Sequence, residues 1–540
     1  MWSRVLQVLA VVSVGVLARA HAGPPAAAAP PERPRLTVDT RAASPVGRVV
    51  SVPAGGNVQA ALDGARPGDV ITLEAGATFG GPFTLPRKQG DGWITIRTSA
   101  PDDRLPPPDV RIDPSYAGVM PKLEAGRGSV IVAAPGAHHY RFVGIEIRPA
   151  SRVSLVNLVV LGLNERALEL VPSHLIFDRC YLHGDPEKGT RRGIAMNSRY
   201  TAVVNSHLSD FKEIGVDSQA IDGWAGPGPF KIENNYLEAA SENVMFGGGD
   251  PVIANVVPSD IEIRSNHFAK PLRWKEGNPA FERGPWVIKN LFELKNARRI
   301  LIEGNLFERT WAQAQAGFAI VFTVRNEDGG APWSVVEDVT FVNNVVRGAG
   351  SGVNILGYDD HRASQQTARV LISNNLFDDI GGPQWGGAGR LFQILDGVAQ
   401  LTIEHNTAFQ RGNIIFAEGR PHPGFVYRNN VTPHQETGIA GTGTGVGQPT
   451  LTTFFPGAIV KGNVIIGGPA AAYPPDNFFP VSLDRVGFAD RLRGDYRFIT
   501  TSRYRRAGTD GRDPGVDHDV LAAAMARSAN RQSPAAEARR

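Results

Sequence analysis

Four residues of this chain have the types and spacing for proton-transfer chemistry: Lys295, Glu293, Arg325 and Asp217. Glu293 and Lys295 sit at alternate positions of LFELK, so a strand there points both side chains the same way. Arg325 ends FAIVFTVR and Asp217 lies in GVDSQ, segments that read as equivalent strands. A lysine base beside an arginine suits removal of a proton next to a carboxylate whose charge must be neutralised. Two carboxylates on opposite sides of a bond suit acid and base roles instead, and Asp217 with Glu293 supplies that pair. Asn243, Asn354 and Gln393 fall in the same outward column and offer amides to a ligand. Val216, Val244, Phe292, Ile320 and Val353 alternate with them and are expected to point inward.

Something must bring residues so far apart in sequence together. Between residues 261 and 430 one short phrase recurs: IEIRSNHF, ILIEGNLF, VTFVNNVV, VLISNNLF, LTIEHNTA and FVYRNNVT. Its asparagines are Asn266, Asn305, Asn344, Asn375, Asn406 and Asn430, separated by 39, 39, 31, 31 and 24 residues. Copies extend upstream to Asn235 and downstream to Asn463. Recurrence on this scale marks a repeat architecture. A copy made only of strand-type alternation cannot bury its apolar face alone, so it stacks on the next. The asparagine sits where two strand pieces meet. It tolerates the left-handed backbone of a sharp turn, and its amide can reach the next coil to form a ladder. The pattern predicts an all-β, right-handed parallel β-helix (a solenoid).

The ends read differently. Residues 1–22 have a basic start, a short apolar run and A-x-A sites, as in a cleaved secretory signal, which would place the product in the periplasm or outside the cell. Residues 23–47 are a Pro/Ala-rich linker, expected to be disordered. Residues 48–130 hold the N-terminal cap and first coils, with a short capping helix around Val58, Ala61 and Leu62. Residues 131–515 hold the β-helix and its closing segment, and 516–540 a frayed tail. The single cysteine, Cys180, leaves no internal disulfide and falls in the turn column as a small buried residue. A net charge of +3 over 540 residues, with signs interspersed, gives no nucleic-acid footprint. No stretch after the signal spans a membrane, and the chain is expected to act as a monomer.

The stretch VVSVPAGGNVQAALDGARPGDVITLEAGATF resembles the N-terminal cap of pectin-lyase-like β-helix proteins, and YRFITTSRYRRAGTDGRDPGVD resembles their closing segment. The resemblance spans residues 48–515 and implies a secreted, carbohydrate-associated protein. A polysaccharide partner follows, cleaved by a lyase acting on a uronate polymer or by an inverting hydrolase. A non-catalytic binding solenoid is the third option. Trp286, Trp333 and Trp385 stand beside Gly or Pro, where an indole can offer a face to a sugar ring. Asp359 and Asp360 in GYDDHR resemble the adjacent aspartates of polygalacturonases, but the partner motifs of that family are absent. The one cofactor such a uronate site implies is Ca²⁺.

Overall fold

A computed structural model describes residues 29–42, 44, 46–282 and 284–529. The expected signal peptide (1–22) and the start of the linker lie outside the described residues. The chain winds through three all-parallel sheets of 14, 13 and 12 strands. One coil gives a strand to each in turn, as in Ser259–Arg264, His267–Ala269 and Phe292–Leu294. This is the right-handed parallel β-helix that the repeats predict.

Alternation along each strand builds the core. On the first sheet Ile261, Ile300, Val339, Val370 and Leu401 stand directly above one another. All five are buried in a core that runs from Val52 to Tyr473. On the second sheet Phe268 and Phe307 stack with centroids 4.4 Å apart. Each coil thus covers the apolar face of its neighbour, which is how a solenoid is stabilised.

The asparagines line up at the turn between the first and second sheets. The backbone N–H of Asn266 donates to Oδ1 of Asn305 at 2.9 Å, and its Nδ2 reaches the same oxygen at 3.0 Å. The same pair of bonds links Asn305 to Asn344, Asn344 to Asn375, and so on through Asn406, Asn430 and Asn463. Asn235 heads the run by bonding to Asn266. Asn477 extends it by one member that the repeat phrase does not reveal. One expectation is corrected here. The left-handed backbone belongs to the residue before each ladder asparagine: Asn234, Ser265, Gly304, Asn343, Asn374, His405, Asn429 and Gly462. That turn swings the following amide inward, where it serves the buried backbone.

At the ends the capping helix is as expected, and the flanking segments are not. The helix Val58–Gly64, capped by Asn57, closes the first coil with Val58 and Leu62 buried. Residues 29–42 are not loose linker. They run across the outer face of the first sheet, with Arg35 N–H on Asp260 and Glu32 N–H on Asp338, both at 2.9 Å. Val38 is buried with Ile176, Ala202 and Val204. The tail is not frayed over its described part: His518–Ala529 is a helix whose Leu521 and Met525 pack on Leu306. Among the described residues, no helix is long and apolar enough to cross a membrane. Cys180 is fully buried, its Sγ 3.6 Å from the Phe142 carbonyl, and burial pushes its thiol up to about 12.

Candidate functional site

Strand register on the third sheet decides which side chains become vertical neighbours. Ile194, Ile221, Val244, Phe292, Ile320 and Val353 form its inward column. The adjacent outward column is Ala195, Asp222, Met245, Glu293, Val321, Asn354 and Gln393. A second outward column stacks Arg192, Gln219 and Glu242. Three carboxylates, from Asp222, Glu242 and Glu293, therefore face outward on three successive coils.

Cations and amides surround them. Nε of Arg192 lies 2.9 Å from Oδ2 of Asp222 and donates to Oε1 of Gln219 at 3.0 Å. Gln219 in turn donates to Oε2 of Glu242 at 2.7 Å. Lys289 Nζ sits 3.5 Å from Glu242 and is also bonded to Asp217. Asn290 Nδ2 donates to Glu293 at 2.7 Å. Lys295 Nζ pairs with Glu327 at 3.3 Å. Oδ1 of Asn290 and Oδ1 of Asp222 are buried and find no protein partner.

This crowding sets the protonation states. Burial pushes Asp222 up to about 7, with Arg192 and Lys295 acting against it. Burial, then the neighbouring Glu293 and Asp217, hold Glu242 above the ordinary glutamate range. Burial alone would lower the Lys295 ammonium, but Glu293, Glu327 and Glu242 together hold it above ordinary lysine. Lys289 is raised the same way, chiefly by Glu242 and Asp217 against burial.

Of the residues singled out from the sequence, Glu293, Lys295 and Arg325 gather on one side of the stack. Arg325 N–H donates to the Lys295 carbonyl at 2.9 Å, so the two occupy successive coils. The Arg325 guanidinium is held by Asp359, at 3.0 Å, and by Asp360. Asn354 and Gln393 are neighbours, joined by a 3.1 Å bond.

Other assignments are corrected. The strand is Gln219–Gly223, so Val216 is exposed and Asp217 lies in the preceding loop. Asp222, not Asp217, shares a column with Glu293. Asn243 points inward: it is fully buried, donates to the Leu237 and Ala269 carbonyls, and accepts from buried Lys270. Trp286 is packed against Trp274, Trp311 and Ile288 and offers no face to a ligand. Trp385 leans on that cluster and donates to Asp379, while Trp333 donates to the Val256 carbonyl. Both are half-buried and tie down loops.

Sequence reasoning missed Asp222, Glu242, Lys289, Arg192 and Gln219. A signal for Asp222 was present. Aligning AIDG, NVMF and LFEL on their inward apolar residues puts Asp222 and Glu293 in one outward column.

No family model and no curated protein matches this chain. Among solved structures it is similar to the PL6 family alginate lyase AlyGC, at 14% identity and a TM-score of 0.51, covering 90% of this chain and 59% of that one. This chain thus spans about three-fifths of that enzyme's length. A GH87 α-1,3-glucanase catalytic unit from Streptomyces thermodiastaticus strain HF3-3 is 12% identical, with a TM-score of 0.43 over 82% of this chain and 72% of that one. A mannuronic acid specific polysaccharide family 6 lyase from human gut microbiota is 10% identical, with a TM-score of 0.40 over 90% and 100%. At 14% identity the likeness to AlyGC is one of fold. The chain is a right-handed parallel β-helix, the fold it has in common with that alginate lyase.

Proposed function

We propose that the outer face of the third sheet is the active site of a polysaccharide-cleaving enzyme acting on a uronate polymer by β-elimination. One observation carries this: three buried carboxylates and the cations Arg192, Lys289 and Lys295 crowd onto one outward face. Farther along, the same column turns to Val321, Asn354 and Gln393. A stack held together only by its core has no use for such a cluster, because burying charges costs several kcal/mol per ion, on the order of what a mutation can destroy.

Elimination removes the proton beside the uronate carboxylate and expels the glycosidic oxygen. Lys295 is the base in this reading, and Arg325 on the next coil pairs with the uronate carboxylate once that displaces Asp360. Asn354 and Gln393 are placed to hold flanking sugars. Glu242, Glu293 and the unpartnered Oδ1 of Asn290 are hard oxygen donors of the kind Ca²⁺ takes. An ion held by them would cancel the negative field that keeps Lys295 protonated.

A second reading is favoured by Asp222. A carboxyl raised to about 7 is half protonated at neutral pH, as a general acid requires. Its strand lies two coils, about 9–10 Å, from that of Glu293, the range of an inverting hydrolase. The purified chain should be given uronate polymers with and without a chelator. Absorbance from new unsaturated ends marks the lyase, and reducing ends without it mark the hydrolase. Neither signal, with sugar binding unchanged in Lys295→Ala and Glu293→Ala, would remove the active-site assignment.

A further inference from the structure

A second cluster lies far from that face, at the start of the first sheet's strand His138–Val143. Register pairs Ile94 with Tyr140, which sets Trp93 beside His139 and Gly92 beside His138, with Asp91 in the loop just before. One ligand atom from each of Asp91, His138 and His139 lies within 4.8 Å of the others, the only such trio of acidic, histidine or cysteine ligands among the described residues. Asp91 is exposed and both histidines are half-buried.

The hydrogen bonding turns both rings toward one point. Nε2 of His138 lies 3.0 Å from the Lys88 carbonyl. A carbonyl only accepts, so Nε2 is the donor there and Nδ1 faces the other ring. It shares a hydrogen bond with Nδ1 of His139, 2.8 Å away, and an ion bound to both nitrogens would replace that proton. A backbone carbonyl orienting one imidazole while the other nitrogen faces a shared point is the usual outer shell of a histidine metal ligand.

The second ring is fixed by stacking. His139, His174 and Tyr200 all adopt left-handed backbone on successive coils, with φ of 60°, 54° and 49°. Their rings stack at 4.3 and 4.7 Å, and Trp93 abuts His139 edge-on at 5.1 Å. Left-handed backbone at a histidine and a tyrosine is uncommon. Here it aligns the rings and holds the His139 plane in place. His139 also lines a groove of about 620 Å³ roofed by Thr37 to Ala42, which gives solvent ligands access.

We propose that Asp91, His138 and His139 form a binding site for a late first-row divalent transition ion. The nitrogen spacing narrows the choice. With metal–nitrogen bonds of about 2.1 Å, nitrogens 2.8 Å apart subtend about 84° at the ion. A tetrahedral ion would need them about 3.4 Å apart. An angle near 90° suits the tetragonal N,O coordination of Cu²⁺ or Ni²⁺, with a carboxylate and waters at the other positions. The site is independent of the third-sheet face and of any activity there.

The test uses the full chain without a histidine tag, titrated with Cu²⁺ in a non-coordinating buffer and followed by electron paramagnetic resonance. One equivalent should give an axial spectrum with coupling to two nitrogens. His138→Ala and His139→Ala should each lose that two-nitrogen signal and weaken binding by about 100-fold, and Asp91→Asn by about tenfold. His174→Phe, which keeps a stacking ring, should bind like the parent. Asp91 is exposed, so Asp91→Asn remains informative if a histidine variant fails to fold. Copper bound equally well by the parent, Asp91→Asn and whichever histidine variants fold would overturn the site.

Discussion

The same coils carry two polar columns, and they behave in opposite ways. From Asn235 onward the column at the first turn is asparagine at every step, buried, with backbone and side-chain bonds repeating at 2.8–3.1 Å. On the outer third sheet the residue type changes at each coil; burial and then neighbouring carboxylates push Glu242 up, and burial pushes Asp222 up against its cations. There two buried oxygens, on Asn290 and Asp222, lack a protein partner. Repetition in a solenoid marks what each coil needs for stability, because every interface poses the same problem. A local break in the repeat, with unmet polar groups, marks what selection kept for another purpose.

The sharpest way to test this contrast is to damage the repeated column. Asn305→Ala strips the acceptor from the backbone N–H of Asn266 and the donor from the buried Ile263 carbonyl. Each orphaned group costs about 1–3 kcal/mol, so denaturant midpoints should report a loss of about 3–5 kcal/mol. Asn477→Ala, at the ladder's end, likewise strips the acceptor from the Asn463 amide and the donor from the Val460 carbonyl, and should cost a similar amount. A loss at Asn305 several times that at Asn477 would mean that the ladder is not a set of local interfaces.

On the other column the effect should fall on activity. Glu293→Gln keeps a partner for Asn290 but removes one charge from the crowd, so stability should hold within about 1 kcal/mol. Turnover of a uronate polymer should fall by about 10²–10⁴ in Lys295→Ala. The pH profile separates the two mechanisms. Lys295 is held above ordinary lysine, so a lysine base gains its free lone pair only in alkali, and kcat/KM should climb as pH rises well past neutrality. If Asp222 is instead the acid, activity requires its proton and should fall as pH rises through about 7. A profile that rises through neutrality and keeps climbing excludes the Asp222 mechanism; one that falls excludes Lys295 as base.

The ladder was legible because one residue recurs in one context, and the inward columns because apolar alternation survives every insertion. The face was legible only in part. Glu293 and Lys295 follow directly from alternation in LFELK. Asp222 and Glu242 did not, because Asn243 at the head of its strand turns inward and the preceding strand starts at Gln219. Alternation read from GVDSQ therefore falls out of step and puts Asp217, a loop residue, on the strand. The strap at 29–42 escaped for another reason: its Pro-rich composition argues for disorder, yet single contacts such as Val38 against Ile176 and Arg35 on Asp260 anchor it to coils far away in sequence. Composition carries no trace of such contacts.

The tryptophans draw the boundary between the two kinds of column most finely. Trp286 lies near the face in sequence, but only 6% of it is exposed and its Nε1 has no partner. Lys212 sits 5.1 Å from its ring centroid. Trp286→Phe therefore loses no hydrogen bond and keeps an aromatic surface for Lys212. The loss is a few buried carbons, about 1 kcal/mol, visible as a small drop in urea midpoint. Sugar affinity should not change, since the ring packs on Trp274 and Trp311 and meets no ligand. A Trp286→Phe protein that folds normally but binds oligosaccharide tenfold more weakly would extend the face into this loop cluster, and structural and chemical columns would then overlap at Lys289.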